Sequence, residues 1–381
     1  MKQGWTYKKL GELGTIVTGS TPSTKIKEYY CSNDYCFIKP SDLPAEGYQI
    51  IVESENYISS KGYEVSRKLP KGSVLVSCIG IIGKTAILGM DACTNQQINA
   101  IIPNEYVNNK FLAYSILSQR YVLSSVANAP VVPLINKSDF SKVEIPLPPL
   151  SVQLSIVSEL DKINELIRLK KEQLKDYDNL AQSIFYEMFG DPVVNEKGWE
   201  VKKLGDVCKF TQGTQVPIEE QHLSKENGLV QFLRIIDFTQ GKDAPRFVKC
   251  SNDKYILHER EIAIVRYGTP GFVCYGKIGA IANNLFKITP NQKDMFEFEF
   301  LVHWLNTEAF QSAVKSKQYG AALQAIKFST IQGINIIIPS LTVQRSFATR
   351  ISQIDKQKQY IEESIKELES LLASRMQYWF D

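Results

Sequence analysis

The feature that most constrains this chain is a helical stripe that occurs twice. Between Ser151 and Gly190 it runs Ile156, Leu160, Ile163, Ile167, Lys170, Leu174, Tyr177, Ala181, Ile184, Met188, its steps alternating four residues and three. That is the heptad pattern of a helix that lays one seam on another helix. The same steps return as Phe347, Ile351, Ile354, Lys358, Ile361, Ile365, Leu368, Leu372, Arg375, Trp379. Because the spacings read alike in both directions, an antiparallel pairing closes in one register. It sets Ile156 opposite Trp379, Leu160 opposite Arg375 and, at the far end, Met188 opposite Phe347. Each helix is predicted to be the other's partner and a rigid spacer roughly 57 Å long at about 1.5 Å per residue.

The stripes belong to a repeat of the whole chain. Gly4, Trp5, Lys8, Lys9, Leu10, Gly11 and Glu12 return as Gly198, Trp199, Lys202, Lys203, Leu204, Gly205 and Asp206, and Gly19 returns as Gly213. Phe37-Ile38-Lys39 and Asp42 reappear as Phe232-Leu233-Arg234 and Asp237. Gly80, Gly83 and Asn95 reappear as Gly268, Gly271 and Asn283, and Pro148 to Gln153 as Pro339 to Gln344. The offset drifts along the chain, which means loop insertions around a shared framework. Each copy reads as a strand-rich unit, a Pro-marked stop and a long helix. The expected boundaries are residues 1–147, 148–190, 191–338 and 339–381.

The predicted fold class is α+β: two tandem mixed α/β domains joined by two long antiparallel coiled-coil helices, with pseudo-two-fold symmetry. Ser73-Val74-Leu75-Val76 and Ile262-Ala263-Ile264-Val265 read as strands followed by glycine turns. Short helices are predicted over Lys110 to Val122 and Phe300 to Val314. Ser151 and Thr342 stand where an N-cap belongs, and Gly190 before Asp191-Pro192 is a helix stop. The second helix ends with the chain.

With 381 residues and 44% hydrophobic residues, the chain has ample core for two or three globular units. No apolar run approaches the roughly 20 residues of a membrane span, and MKQGWTYKKLGEL lacks a signal peptide's apolar centre. A soluble, cytoplasmic protein is expected. The seven cysteines form no C-x-x-C pair and read as reduced, mostly buried thiols. A net charge of +3 permits nucleic acid as a partner without arguing for it.

Two similar modules held apart by a rod suit two separated sites on a long, regular target. Duplex DNA is one, its successive major-groove windows lying about 34–36 Å apart. Thr18-Gly19-Ser20-Thr21-Pro22-Ser23, Phe37 to Leu43, Gly80-Ile81-Ile82-Gly83-Lys84, Asn95-Gln96-Gln97 and Ile145 to Gln153 resemble, in that order and with the duplication, specificity subunits of type I restriction-modification enzymes. The resemblance implies that each variable unit is a target recognition domain reading half of an asymmetric bipartite DNA site. It implies helices that space the domains and dock two modification (methyltransferase) subunits, with restriction (motor and nuclease) subunits joining through that core. S-adenosylmethionine is then expected on the modification subunits, and no cofactor or metal on this chain. The second copy departs from the pattern: Gly213-Thr214-Gln215-Val216 lacks the Thr-Pro, and Gly271-Phe272 lacks the lysine of Gly83-Lys84.

Lys39 and Arg234 stand at equivalent places beside Asp42 and Asp237. They can donate to guanine or phosphate, or form salt bridges within the domain. Ile81 and Lys84 in one turn, and Arg266, Tyr267 and Thr269 in its counterpart, lie on glycine turns that admit close backbone approach or merely connect strands. Asn95-Gln96-Gln97 and Asn283-Asn284 carry amides that can pair with adenine or, equally, cap a buried turn. Ser20, Thr21, Thr214 and Gln215 complete the candidate DNA contacts. On the seam, Lys170, Lys358 and Arg375 face Ile365, Tyr177 and Leu160, their stems lying over apolar neighbours; they are expected to fix register and not to touch DNA. A second apolar set, Val157, Leu166, Leu169, Leu180, Phe185, Tyr360, Leu371 and Met376, is expected to pack on the globular units and in part to serve partners.

An enzyme reading fails on residue types. A phosphate loop ending at Lys84 would need glycine where Cys78 stands. Glu200-Val201-Lys202 is the one E-x-K considered for a metal nuclease, and its counterpart is Thr6-Tyr7-Lys8. His222, His258 and His303 have no metal-ligand spacing. The competing class is a coiled-coil adaptor with two β-rich interaction domains and no nucleic acid.

Overall fold

The computed structural model describes residues 4–126, 133–239, 241, 243–292, 294–316 and 325–380. The chain divides into two compact units, Met1–Lys171 with Ser364–Asp381, and Glu172–Glu363. Each therefore holds one globular repeat and parts of both long helices.

The first unit is built on a five-stranded sheet in the order Gly14–Thr18, Ile98–Pro103, Val74–Ser77, Thr85–Leu88, Tyr48–Ile51. All neighbours are antiparallel except the last pair. Its central strand is buried on both faces. Successive side chains point to opposite sides of a strand, so Val74 and Val76 join a core with Phe111, Ile156 and Leu160, while Leu75 joins another with Ile38, Leu43 and Leu88. A smaller sheet pairs Tyr57–Ile58, Tyr35–Ile38 and Cys93–Thr94. Thr6–Lys9 runs antiparallel to Glu144–Leu147, returning the end of the repeat to its start.

The second unit repeats this plan. Its first sheet orders Cys208–Gln212, Leu285–Pro290, Ile262–Val265, Val273–Cys274, and its second orders Arg246–Lys249, Leu229–Leu233, Gly279–Ile281, Ile256–Leu257. Ile262 and Ile264 face the core that includes Phe185, Phe300 and Phe347; Ala263 and Val265 face a smaller one. Glu200–Lys203 pairs with Asn335–Ile338.

The long helices are Leu150–Phe189 and Leu341–Phe380, 40 residues each. Every position of both stripes is buried or half-buried. Within the first unit Glu159 pairs with Arg375, and Lys171 lies 2.8 Å from Glu369. Within the second, Asp178 pairs with Lys358 at 2.5 Å and Glu187 lies 3.8 Å from Arg350. In both units rising numbers on one helix meet falling numbers on the other, so the helices run antiparallel. Arg375 and Lys358 thus bond carboxylates on the facing helix, as register-fixing cations should, and Trp379 Nε1 adds a donor to Glu159 at 3.0 Å.

Some expectations fail at element ends. The helices begin one residue before Ser151 and Thr342, which lie inside the first turn; the capping carbonyls belong to Pro149 and Ser340. The single helices predicted over Lys110–Val122 and Phe300–Val314 are each two: Asn109–Ser118 with Arg120–Val126, and Phe298–Leu305 with Glu308–Ser316. In the second case Thr307 Oγ1 donates to the Trp304 carbonyl and accepts from Phe310 N, closing one helix and opening the next. The strand predicted from Ser73 spans Val74–Ser77. Gly190, at φ +74°, ends the first long helix as predicted.

Each long helix is fastened to its repeat by a buried glutamine. Gln153 Nε2 donates to the carbonyls of Tyr106 and Pro148, and its Oε1 accepts from Asn108 N. Gln344 makes the same bonds to Met295, Pro339 and Glu297 N. Both are 0% exposed.

Burial beneath Phe347 and the nearby Lys358 charge push His303 down to about 4. A protonated form disfavoured on folding removes stability as pH falls. The contribution is complete above about pH 6.5, where the unfolded imidazole is also neutral. Between there and pH 4 the second unit should lose on the order of 3 kcal/mol at about 1.4 kcal/mol per unit. Acid titration of thermal stability for the protein and for His303→Phe checks this: the variant should lack that part of the slope.

Candidate nucleic-acid interface

In the first unit the chain crosses itself repeatedly at one end of its sheets. Gly19 N donates to the Ile98 carbonyl at 3.0 Å and Ser20 N to the Thr94 carbonyl at 2.8 Å. Asn95 N reaches the Ile38 carbonyl, beside Lys39, and Cys78 N the Gln97 carbonyl. The loops carrying Ser20, Thr21, Lys39, Gln96 and Gln97 are therefore laced together, with the Gly80–Gly83 turn continuing from Cys78. Thr21 Oγ1 donates to Gln96 Oε1 at 2.7 Å, and both side chains are exposed. Ile81 stands 64% exposed at the tip of the turn, where Gly80 at φ +76° and Gly83 at φ +82° reverse the backbone.

The second unit brings the equivalent loops together. Thr214 N donates to the Ile281 carbonyl, Ala282 N to the Leu233 carbonyl beside Arg234, and Arg266 N to the Asn284 carbonyl. Tyr267 Oη bonds Asn283 Oδ1 at 3.2 Å, and Asn283 Nδ2 bonds Gln215 Oε1 at 3.3 Å. Gln215 and Thr269 are exposed. The Arg266 guanidinium lies over the Phe286 ring at 5.7 Å.

Several candidates are engaged inside their own loops. Arg234 forms the salt bridge with Asp237, both contacts at 3.1 Å. Lys39 does not pair with Asp42: its ammonium donates to Asn56 Oδ1 at 2.7 Å, while the Asp42 carboxylate accepts from the amides of Lys39 and Glu55. Lys84 donates to the Pro40 and Leu43 carbonyls, so its charge tethers one loop to another. Asn95 caps its turn by accepting from Gln97 N. Gly83, though in a turn, is buried. Of the candidates, Thr21, Ile81, Gln96, Gln215 and Thr269 are exposed: hydroxyls, amides and one apolar tip. Among the described residues no group of three or more His, Cys, Asp or Glu is placed to hold a metal, and Glu200 simply bridges to Lys202 on its strand.

Residue-type reasoning passed over the supports of these turns. Arg120 donates to the carbonyls of Ile82 and Ala45, and Gln311, its counterpart in the second repeat, donates to the Gly271 carbonyl. Arg67 binds the Thr18 carbonyl at 2.7 Å. Only the repeat alignment of Arg120 with Gln311 carries a signal for them, and it is faint because the residue types differ.

Gly19 and Gly213 are required by close approach. A Cβ at Gly19 would lie 2.0 Å from the Asn95 carbonyl oxygen, and one at Gly213 2.2 Å from that of Ala282. Both obstacles are backbone, so Gly19→Ala or Gly213→Ala should cost roughly 2–4 kcal/mol and displace the loops beside it. Thermal unfolding measures the first effect and duplex binding the second.

The family model described as type I restriction modification DNA specificity domain matches twice, at residues 2–176 and 196–370. The MjaIX type I restriction enzyme specificity subunit of Methanocaldococcus jannaschii is 29% identical, over 92% of this chain and 86% of its own. The MjaVIII specificity subunit of the same organism is 23% identical over 98% and 92%. Among solved structures, a chain of a type I restriction-modification system described for its complex assembly and conformational transition superposes with TM-score 0.61 at 20% identity, covering 99% of this chain and 97% of that one. The type I S subunit from M. genitalium gives 0.54 at 14%, over 99% and 96%. These two likenesses speak to the fold. With two matches to one family model together covering nearly the whole sequence, the coiled-coil adaptor reading loses its support, and the chain belongs to the type I restriction-modification DNA specificity family as a non-catalytic subunit that recognises DNA sequence.

Proposed function

We propose that residues 1–147 and 191–338 are two target recognition domains, each reading one half of an asymmetric, bipartite site in double-stranded DNA. Residues 148–190 and 339–381 then set the spacing. The observation that carries this reading is that both repeats bring equivalent loops together at one end of their sheets with different exposed side chains: Thr21, Ile81 and Gln96 in one, Gln215 and Thr269 in the other. Equivalent frameworks with unlike tips suit unlike half-sites. Hydroxyls and amides can donate to and accept from base edges, and an apolar tip can meet a thymine methyl.

The long helices would also dock two modification subunits, to which restriction subunits join, S-adenosylmethionine residing on the modification subunits. Val157 and Phe185 of the off-seam apolar set are buried and Met376 is packed on the core. Leu166, Leu169, Leu180, Leu371 and Tyr360 are exposed, and exposed apolar area of this kind marks an interaction surface.

Methylation mapping of the host genome with and without this chain tests the reading. One bipartite motif should lose its methylation on deletion and regain it on complementation; an unchanged methylation pattern would overturn the proposal.

A further inference from the structure

Of the four cationic candidates at the loop ends, three are committed within their own repeats and one is not. Lys39 is bonded to Asn56, Lys84 to the Pro40 and Leu43 carbonyls, and Arg234 to Asp237. Arg266 forms no ion pair and no side-chain hydrogen bond among the described residues: its guanidinium lies over the Phe286 ring, and its Nε is buried without a partner. Such atoms are rare in folded proteins, and each asks for an explanation. Five side-chain atoms are in that state among the described residues. Two of them, Arg266 Nε and Asn284 Oδ1, belong to residues whose backbones bond each other, Arg266 N donating to the Asn284 carbonyl at 2.8 Å. Arg266 follows the strand Ile262–Val265 directly and leads into the turn that carries exposed Thr269.

The first repeat has the same scaffold at this place with another chemistry on it. Cys78 N donates to the Gln97 carbonyl and the Cys78 carbonyl accepts from Ile135 N, just as Arg266 N donates to the Asn284 carbonyl and the Arg266 carbonyl accepts from Ile326 N. Cys78 therefore stands where Arg266 stands. Its side chain is a buried thiol satisfied by the Gln97 carbonyl, whereas that of Arg266 is half-buried and unsatisfied. Contacts to phosphate fix a protein's register on the duplex and are wanted alike by both repeats; contacts to base edges carry the sequence. A position with one scaffold and two chemistries fits the second kind. A guanidinium laid against a ring offers a planar fork of donors, and the base edge that answers a fork is guanine's, where O6 and N7 lie side by side in the major groove.

We propose that Arg266 is a specificity-determining residue of the second recognition domain, donating to O6 and N7 of a guanine in the second half-site, a role that Cys78 cannot play in the first. The inference rests on the reading of residues 191–338 as a domain that reads one half-site.

Duplex binding by the full chain, assembled with the modification subunits of its host, tests the assignment once methylation mapping has given the motif. Each guanine of the second half-site is replaced in turn by 7-deazaguanine, which lacks N7, and by hypoxanthine, which keeps O6 and N7. One guanine should lose about tenfold in affinity on the first replacement and keep its affinity on the second. Arg266→Cys, which installs the first repeat's own residue, and Arg266→Gln, a neutral second choice, should remove the 7-deazaguanine penalty at that guanine. In cells they should relax methylation at that position alone and leave the first half-site as it is. A second half-site without guanine, no penalty on losing N7, or a penalty that persists in both variants overturns the proposal. So does a uniform weakening on every duplex with the penalty intact, the mark of a phosphate contact. None of these results bears on the bipartite reading, which is decided by whether methylation depends on this chain at all.

Discussion

Exchanging residues 1–146 for the corresponding segment of another specificity subunit is expected to replace the first half of the methylated motif completely and leave the second half unchanged. The expectation rests on how self-contained each repeat is. The loops laced together around Gly19, Ile38, Thr94 and Gln97 bond one another within the first unit, and those around Gly213, Leu233, Ala282 and Asn284 do so within the second. Each of these bonds runs within a single repeat. The energetic scale is large, since each mismatched base pair costs about 1–3 kcal/mol, so several altered positions abolish recognition of the old sequence. Single-molecule methylation sequencing of cells carrying the chimera reads both halves at once. A chimera that altered both halves would mean the repeats do not read independently.

The second large effect is expected at Gln344. Its amide satisfies Met295 O, Pro339 O and Glu297 N from a fully buried position. Gln344→Leu keeps the volume but strands those three backbone groups, and each unsatisfied buried group costs about 1–3 kcal/mol. The loss should be about 3 kcal/mol or more, seen as a marked fall in the denaturant midpoint. Gln344→Glu should not restore it, because a carboxylate oxygen in place of the amide nitrogen would face the Met295 and Pro339 carbonyls as a second acceptor in a fully buried site. A substitution at exposed Gln353, on the same helix, is the control and should be nearly neutral.

The long-range plan was legible because it is written in periodicities that survive divergence. The heptad stripe identified both helices, their antiparallel sense and the cations Lys358 and Arg375 that bridge them; the apolar run Ile262–Val265 before a glycine turn identified a strand. Element ends were less legible. Helix starts turn on which carbonyl caps the first amides, and Pro149 and Ser340 do so in place of the hydroxyl residues two positions on. The break at Thr307 depends on a hydroxyl serving two helices at once, which no apolar spacing reveals. For the site, the motifs located the right loops but not which side chains face outward. Lys84 looks free in sequence because its partners, the Pro40 and Leu43 carbonyls, are chosen by loop geometry, whereas for Arg234 the sequence offered both a DNA contact and the salt bridge to Asp237 that the fold forms. The glutamines of the Pro-Pro-Leu-Ser-Val-Gln and Pro-Ser-Leu-Thr-Val-Gln segments were visible as a repeated motif, but their role needs the amide and carbonyls they bond.

The ribbon that pairs Thr6–Lys9 with Glu144–Leu147, and its copy at Glu200–Lys203 with Asn335–Ile338, puts the entrance and exit of each repeat side by side. A segment whose two ends already meet can be lifted out, replaced or rejoined in another order at little cost in loop-closure entropy. Recombination between related genes at these two seams would therefore exchange whole cassettes, so new recognition sequences could arise by shuffling intact parts faster than by altering loops one residue at a time.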